Sequence, residues 1–306
     1  MDSIDGMRTF VAVAETGSFS AAGRRLGLSN KLVSKYIAAL EAQVGSTLVF
    51  RTTRAMSVSP EGQVYLAGCR RVLQEIDALN ASLDGTKGLR GTVRVAAPVT
   101  FGEVLVNEAA LDFTALHPGV EIDLVLSDAY EDLAENGFDL AIRIGEMRDS
   151  NLRVRRLGEA RIVTVAAPTY LAASGIPDRP SDLSDHVCIR DSNSDTPSMW
   201  TFSVDGRTTS VAVTGPLVCN SASASLQAAR LGVGIAMVPD LFAHREIASG
   251  DVQPVLEGFA GPPIPVQAVY LPSDYERPKL TALVAHMKGA VARSEERCRR
   301  TYAKKR

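Results

Sequence analysis

Long apolar runs are missing from this chain of 306 residues: nowhere do eighteen apolar residues stand together. The N-terminus also lacks a basic stretch followed by an apolar one, so neither a membrane span nor an export leader is expected. A cytoplasmic protein without a membrane partner is the expectation. Cysteine is scarce. The four residues, Cys69, Cys188, Cys219 and Cys298, lie far apart and form no C-x-x-C, which suits free thiols in a reducing compartment. The four histidines, His117, His186, His244 and His286, stand alone without metal-ligand spacing and read as surface or capping residues. No G-x-S-x-G elbow is present for a serine nucleophile. Gly232-Val233-Gly234 lacks the rest of a dinucleotide fingerprint and follows a helical stretch, so it reads as a turn. No catalytic residue, metal or cofactor is expected, and the chain does not read as an enzyme.

Net charge is also small, −2 overall, but the average hides a split. Residues 1–60 carry seven bases against four acids, and residues 293–306 seven against two. The residues between them carry 19 bases and 29 acids. A basic head on an acidic body fits a nucleic-acid-reading module joined to something that does not touch nucleic acid.

The head is organised around residues 18–44. Ser18 and Ser20 are N-cap types before a short helix ending at Leu26; Gly27 permits a tight turn, and Ser29 caps a second helix to about Val44. Leu32, Val33, Tyr36, Ile37, Leu40 and Val44 recur at three- and four-residue intervals and form a buried face. The other face gathers Asn30, Lys31, Ser34 and Lys35, short polar donors and two cations. This is the pattern of a helix-turn-helix, whose second helix presents its N-terminal half to base edges. Met7, Phe10, Val11, Val13 and Ala14 predict a preceding amphipathic helix. The stretch from Gly45 through Arg51, Thr52, Thr53 and Arg54 to Ser57 predicts a short hairpin.

From Pro60 to about Lys87 a helix is predicted. Tyr65, Cys69, Val72, Ile76, Leu79 and Leu83 follow intervals of 4, 3, 4, 3 and 4, the heptad seam of a coiled coil. Leu66 and Leu73 widen the stripe. Twenty-eight residues at 1.5 Å each would give a rod of roughly 42 Å. Packing against its own domain is the alternative; a dimer seam is the preferred reading.

After a loop at Gly85–Gly91 the period changes. Strands are predicted at Thr92–Ala97, Glu121–Leu126, Leu140–Ile144, Arg161–Ala167, Gly232–Pro239 and Ile264–Leu271. Helices are predicted at Phe101–His117, Asp132–Asn136, Ser223–Leu231 and Pro278–Ala292. Asp205-Gly206 between Trp200–Val204 and Ser210–Thr214 is a hairpin signal. The alternation indicates an open α/β sheet. Ligands in such sheets bind beyond the strand ends, at helix N-termini. Pro98, Val99, Thr100 and Phe101 occupy one such place, Asn220 and Ser221 another, and Arg143 ends a strand aimed at the same region. Small carboxylates would suit amide-rich helix ends and an arginine. Thr100, Ser221 and Ser223 equally fit plain helix caps, and Arg143 an internal pair with Asp139. Trp200 fits the core better than an aromatic clamp. Residues 293–306 read as a basic tail, a solvated and frayed end.

FVAVAETGSFSAAGRRLGLS, VSKYIAALEAQVG and RTTR...SVSPEG together resemble a LysR-type transcriptional regulator, with the RTTR wing of the CrgA-like branch. The chain departs from that pattern at Gly23 (usually Ala), at Asn30-Lys31-Leu32 (usually Gln-Pro-Ala) and at Lys35 (usually Arg), which bears on base preference. The resemblance covers nearly the whole chain and implies an α+β multidomain protein. A winged helix-turn-helix (1–59), a dimerising coiled-coil linker helix (60–87) and a basic tail (293–306) would flank a periplasmic-binding-protein-like effector domain (91–292). Its subdomain I would hold 91–161 and 266–292, and subdomain II 162–265. It implies a sequence-specific regulator of transcription that binds double-stranded DNA and a small-molecule effector between the subdomains. A homodimer through the linker helix is implied, and usually a homotetramer. Asn30, Lys31, Ser34 and Lys35 are then candidates for base edges, and Ser29, Arg51, Thr53 and Arg54 for phosphates. Ala166, its neighbours Val165 and Ala167, and Trp200 join the effector pocket by the same resemblance. Some members of the family sense peroxide through a cysteine pair; Cys188 and Cys219 fit buried inert cysteine better. The competing reading is a cytoplasmic small-molecule-binding protein or enzyme whose winged module only mediates assembly.

Overall fold

The structure, a computed structural model, describes residues 2–51, 56–83, 88–128, 133–145, 152–194, 196–272 and 277–303. The head opens with α1 (Ser3–Thr16), α2 (Phe19–Leu26) and α3 (Asn30–Val44). Ser18 accepts from Ala21 N at 3.3 Å and Ser29 from Leu32 N at 3.2 Å, so each helix of the pair begins on its own hydroxyl cap. Gly27 closes the turn at φ 67°, in the left-handed region. A Cβ at Gly23 would lie 2.7 Å from the Leu28 carbonyl, so the glycine that costs helix propensity also lets the turn fold back tightly. Phe10, Val13, Val33, Ile37 and Leu48 are fully buried together. The wing is β1 (Val49–Arg51) paired antiparallel with β2 (Met56–Val58). Glu41 ties it to α3 by accepting from Leu48 N and Val49 N at 2.9 and 3.1 Å.

The linker helix α4 (Pro60–Leu83) starts on Ser59, whose hydroxyl accepts from Gly62 N at 2.8 Å. The seam expected on this helix is divided. Tyr65, Leu66 and Cys69 pack into the head's own core, and Leu73 is buried as well. Val64 and Val72 remain exposed, at 68% and 44%. The side chains of Leu79 and Leu83 lie outside the described residues. The first turns of the stripe therefore serve the head, because α1 lies within reach there: the Phe10 and Tyr65 rings are 6.1 Å apart.

The body begins with β3 (Gly91–Ala97), followed by a helical run of α5 (Val99–Phe101), a π-helical turn (Gly102–Val106) and α6 (Asn107–Leu116). Then come β4 (Val120–Leu126), α7 (Leu133–Asn136), β5 (Leu140–Ile144), β6 (Arg153–Ala160), β7 (Ile162–Ala166) and α8 (Pro168–Ser174). A 3₁₀ turn at Pro180–Asp185 leads to β8 (Cys188–Asp191), β9 (Met199–Val204), β10 (Arg207–Ala212) and β11 (Val218–Cys219). The chain continues through α9 (Ala222–Arg230), β12 (Ile235–Pro239), α10 (Asp240–Ser249), β13 (Gln253–Val255), β14 (Ile264–Tyr270) and α11 (Pro278–Ala303).

These strands form two five-stranded sheets, in the orders β4-β3-β5-β14-β6 and β11-β8-β12-β7-β13. The chain crosses from the first to the second at Arg161 and returns before Ile264. A separate hairpin pairs β9 with β10 around Asp205 (φ 50°) and Gly206 (φ 74°), the two left-handed residues a two-residue turn requires. Strands β6, β8, β11 and β13 had no counterpart in the sequence reading. In β6 the reason is plain: Arg153, Val154, Arg155 and Arg156 are all exposed at the edge of the sheet, so no apolar alternation marks them. The frayed tail is a second correction. Residues 293–303 continue α11, with Ser294 and Cys298 buried. His186 caps the 3₁₀ turn, one of the two roles expected of the histidines, and is buried there, with Nδ1 3.1 Å from the Tyr170 hydroxyl.

Candidate functional site

Two sites can be built from the residues upward. On the head, Ser29, Asn30, Lys31 and Lys35 are exposed and Ser34 is half-buried, while Val33, Ile37 and Leu40 on the opposite face hold the helix to the core. Within the described residues, no hydrogen bond or ion pair engages the side chains of Asn30, Lys31, Ser34 or Lys35. The Ser29 hydroxyl is partly committed to its cap. Arg51 ends β1, and its side chain lies outside the described residues, as do Thr53 and Arg54. Arg24, exposed at the end of α2, adds a cation near the start of α3 that the sequence reading did not single out. Its neighbour Arg25 is committed to Glu15 at 2.6 Å, and Glu15 also holds Arg70 of α4 at 3.3 Å.

On the body, the start of α5 meets the start of α9. The Ser223 backbone N–H donates to Thr100 Oγ1 at 3.3 Å, joining an element of one sheet to an element of the other. Thr100 is buried there, between Pro98, which precedes the helix, and the core residue Phe101. Val99 N donates to the Asp128 carboxylate at 3.0 Å, so one amide of that helix start already holds an anion. Ser221 caps α9 by accepting from Ala224 N at 3.2 Å. The exposed Asn220 accepts at its carbonyl from Asn193 Nδ2 at 2.7 Å. Asp191, at the end of β8, has its carboxyl raised above the usual range, chiefly by burial and further by the charge of Asp128. Asp128, Asp191 and Asn193 were not singled out from the sequence, because only the fold brings them beside Thr100 and Asn220.

The remaining candidates lie in the cores or on a strand. Phe101 is 1% exposed inside the main core. Ala166 and Trp200 are buried with Tyr170, Leu183, Phe202 and Ile235, so the indole is packing material rather than a clamp facing a cleft. Arg143 lies half-buried on β5 opposite Gln267. Asp139, the carboxylate considered for it, accepts from Arg94 N at 2.8 Å and pairs with Arg277 at 3.0 Å. Among the described residues no group of His, Cys, Asp and Glu could hold a metal ion. Nor, among the described residues, is any helix long and apolar enough to cross a membrane.

A winged helix-turn-helix joined to a two-sheet α/β body defines a class: a DNA-binding regulator that carries its own ligand-binding domain. Comparison with known proteins specifies the family. Residues 4–63 match the bacterial regulatory helix-turn-helix protein, lysR family, and residues 86–292 match the LysR substrate binding domain. The chain belongs to the LysR family of transcriptional regulators. It is similar to the HTH-type transcriptional activator AaeR of Escherichia coli (strain K12), with 31% identity over 275 residues, 90% of this chain and 89% of that protein. It is similar to the HTH-type transcriptional regulator CrgA of Neisseria meningitidis serogroup C (strain 8013), with 31% identity over 266 residues, 86% of this chain and 89% of that one. The solved structure of CrgA from Neisseria meningitidis superposes with a TM-score of 0.60 at 29% identity, covering 92% of this chain and 98% of that one. The full-length virulence activator AphB of Vibrio cholerae shares the fold, with a TM-score of 0.60, 23% identity and coverage of 94% and 99%.

Proposed function

We propose that two copies of this regulator, joined through α4, place two α3 helices in successive major grooves of a pseudo-palindromic operator. The observation that carries this reading is the face of α3 on which Asn30, Lys31, Ser34 and Lys35 stand in the first two turns, without partners among the described residues. These four read base edges; Ser29, Arg51, Thr53 and Arg54 anchor phosphates and fix register. Val64 and Val72, exposed on α4, face the partner helix. A second, body-to-body interface uses the exposed Leu111 and Leu116 of the α6 flank and Leu231 and Val233 after α9, giving a homotetramer. The protein works in the cytoplasm and catalyses no reaction.

The effector binds between the sheets, where Thr100 meets Ser223. An anionic group suits the helix starts there, and it would displace the Asp128 carboxylate from Val99 N. Binding then changes how the sheets close and so the angle between the heads, provided the effector has different affinities for the two arrangements. A gel shift with fragments from upstream of its own and the neighbouring reading frame tests the first half. Retention of one fragment over others supports it. Failure to retain any fragment at low salt would favour a binding protein or enzyme whose head serves assembly.

A further inference from the structure

The match to the LysR substrate binding domain ends at residue 292, yet α11 runs without interruption to Ala303. Its first half packs on the first sheet: Leu280, Leu283, Val284, Met287 and Val291 are buried there. Its second half reaches the crossover between the sheets. Glu295 accepts from the Glu159 N–H at 2.6 Å, one residue from the end of β6. Gly158 leaves the space that Glu295 and Val291 occupy; a Cβ there would collide with both side chains. Two residues further on, Arg161 N donates to the Asp240 carboxylate at 3.2 Å, and Asp240 N donates back to the Arg161 carbonyl at 2.7 Å. Cys298 and Tyr302 lie close enough to Asp240 to feel its charge, and α11 packs on α10 of the second sheet. Cys298 is 2% exposed, and Tyr302 packs against the same core.

We propose that residues 293–303 form a strap across the crossover at 158–162, fixing the angle between the two sheets through Glu295 on one side and Cys298 and Tyr302 on the other. A helix seated on both sheets must slide or peel for the sheets to rotate about Arg161. Closure is then set at the strap as well as in the cleft. The inference rests on the reading of that cleft as the effector's place, but its test needs no effector, so the two can fail separately.

Amide hydrogen exchange on the full-length protein provides the test. In Glu295→Ala, amides of residues 158–162 should exchange roughly tenfold faster, the scale of losing one charge-assisted hydrogen bond. A chain stopped after Ala292 should show a larger increase at the same residues. Amides of residues 93–96 and 140–142 at the centre of the first sheet should keep their rates in Glu295→Ala. Should the shortened chain not fold, Glu295→Ala decides alone. Unchanged exchange at 158–162 in Glu295→Ala would overturn the strap. So would an acceleration spread evenly through both sheets, because that would mean lost stability without a local hinge.

Discussion

The head and the body prepare for their ligands in opposite ways. On α3 the side chains of Asn30, Lys31 and Lys35 stand in solvent, and neither they nor half-buried Ser34 has a partner among the described residues. In the body the corresponding groups already satisfy one another: Ser223 N with Thr100, Val99 N with Asp128, Asn193 with the Asn220 carbonyl, and Ser221 with Ala224 N. The difference follows from solvent. Water serves exposed polar groups until a rigid polyanion replaces it, so a preformed surface costs little. A buried polar group left unpaired costs about 1–3 kcal/mol, so a cleft must hold internal bonds and exchange them for ligand bonds. Side chains on α3 therefore act on affinity directly, whereas those in the cleft act through the balance between two arrangements.

The largest test of that division is Phe10→Ala. Phe10 is fully buried among the head's residues, and its loss should destabilise that module by about 3–5 kcal/mol. Calorimetry should show the head's unfolding moving down while the body's transition stays in place. Simultaneous melting of both would break the division at its root. Next come Lys31→Ala and Lys35→Ala, each expected to weaken operator binding by about 1–3 kcal/mol while leaving the folded state unchanged. Titration at several salt concentrations sharpens the assignment. A lysine on phosphate lowers the salt slope by about 0.9 and weakens all sequences alike; one on a base edge relaxes preference at one position.

The helix-turn-helix was legible because its signals are local. Ser18, Gly27 and Ser29 mark caps and a turn within a dozen residues, and the apolar interval of α3 needs no knowledge of the rest of the chain. The body resisted reading where pairing is distant. Asp128 meets Val99 across 29 residues, and Ser223 meets Thr100 across 123. Nothing in either segment announces the other. The stripe on α4 was legible as a helix, but its partner was not: heptad spacing cannot tell a second copy from α1, and Tyr65 and Cys69 turned to α1. The helix beyond Ala292 was hidden by its own charge, since Arg293, Arg297, Arg299 and Arg300 mask the buried line of Ser294 and Cys298.

Thr100→Val carries the comparison into the cleft at smaller scale. The substitution keeps shape and removes the acceptor of Ser223 N, a change of about 1 kcal/mol. Effector response in a promoter-reporter assay should fall while operator affinity without effector stays within about twofold. An equal loss of operator binding would place Thr100 in the architecture that orients the heads.

The smallest expected effect belongs to the cysteines, and it tests how firmly the body is packed. Burial pushes the Cys188 thiol up to about 12, so at pH 8 only about one molecule in ten thousand carries the reactive thiolate. Burial likewise pushes Cys298 up to about 12. Cys219 pairs in register with Asp191, three residues along from Cys188 on the neighbouring strand. At about 3.3 Å per residue that offset is roughly 10 Å, beyond the roughly 7 Å between Cα atoms that a disulfide tolerates. Iodoacetamide at pH 8 should therefore modify half-buried Cys219 well before Cys188 or Cys298, and peroxide should form no Cys188–Cys219 disulfide and leave operator affinity unchanged. A Cys188–Cys219 disulfide found by mass spectrometry after peroxide would require β8 and β11 to slide by about three residues. The second sheet would then be a mobile sensing element instead of the fixed wall against which the cleft closes.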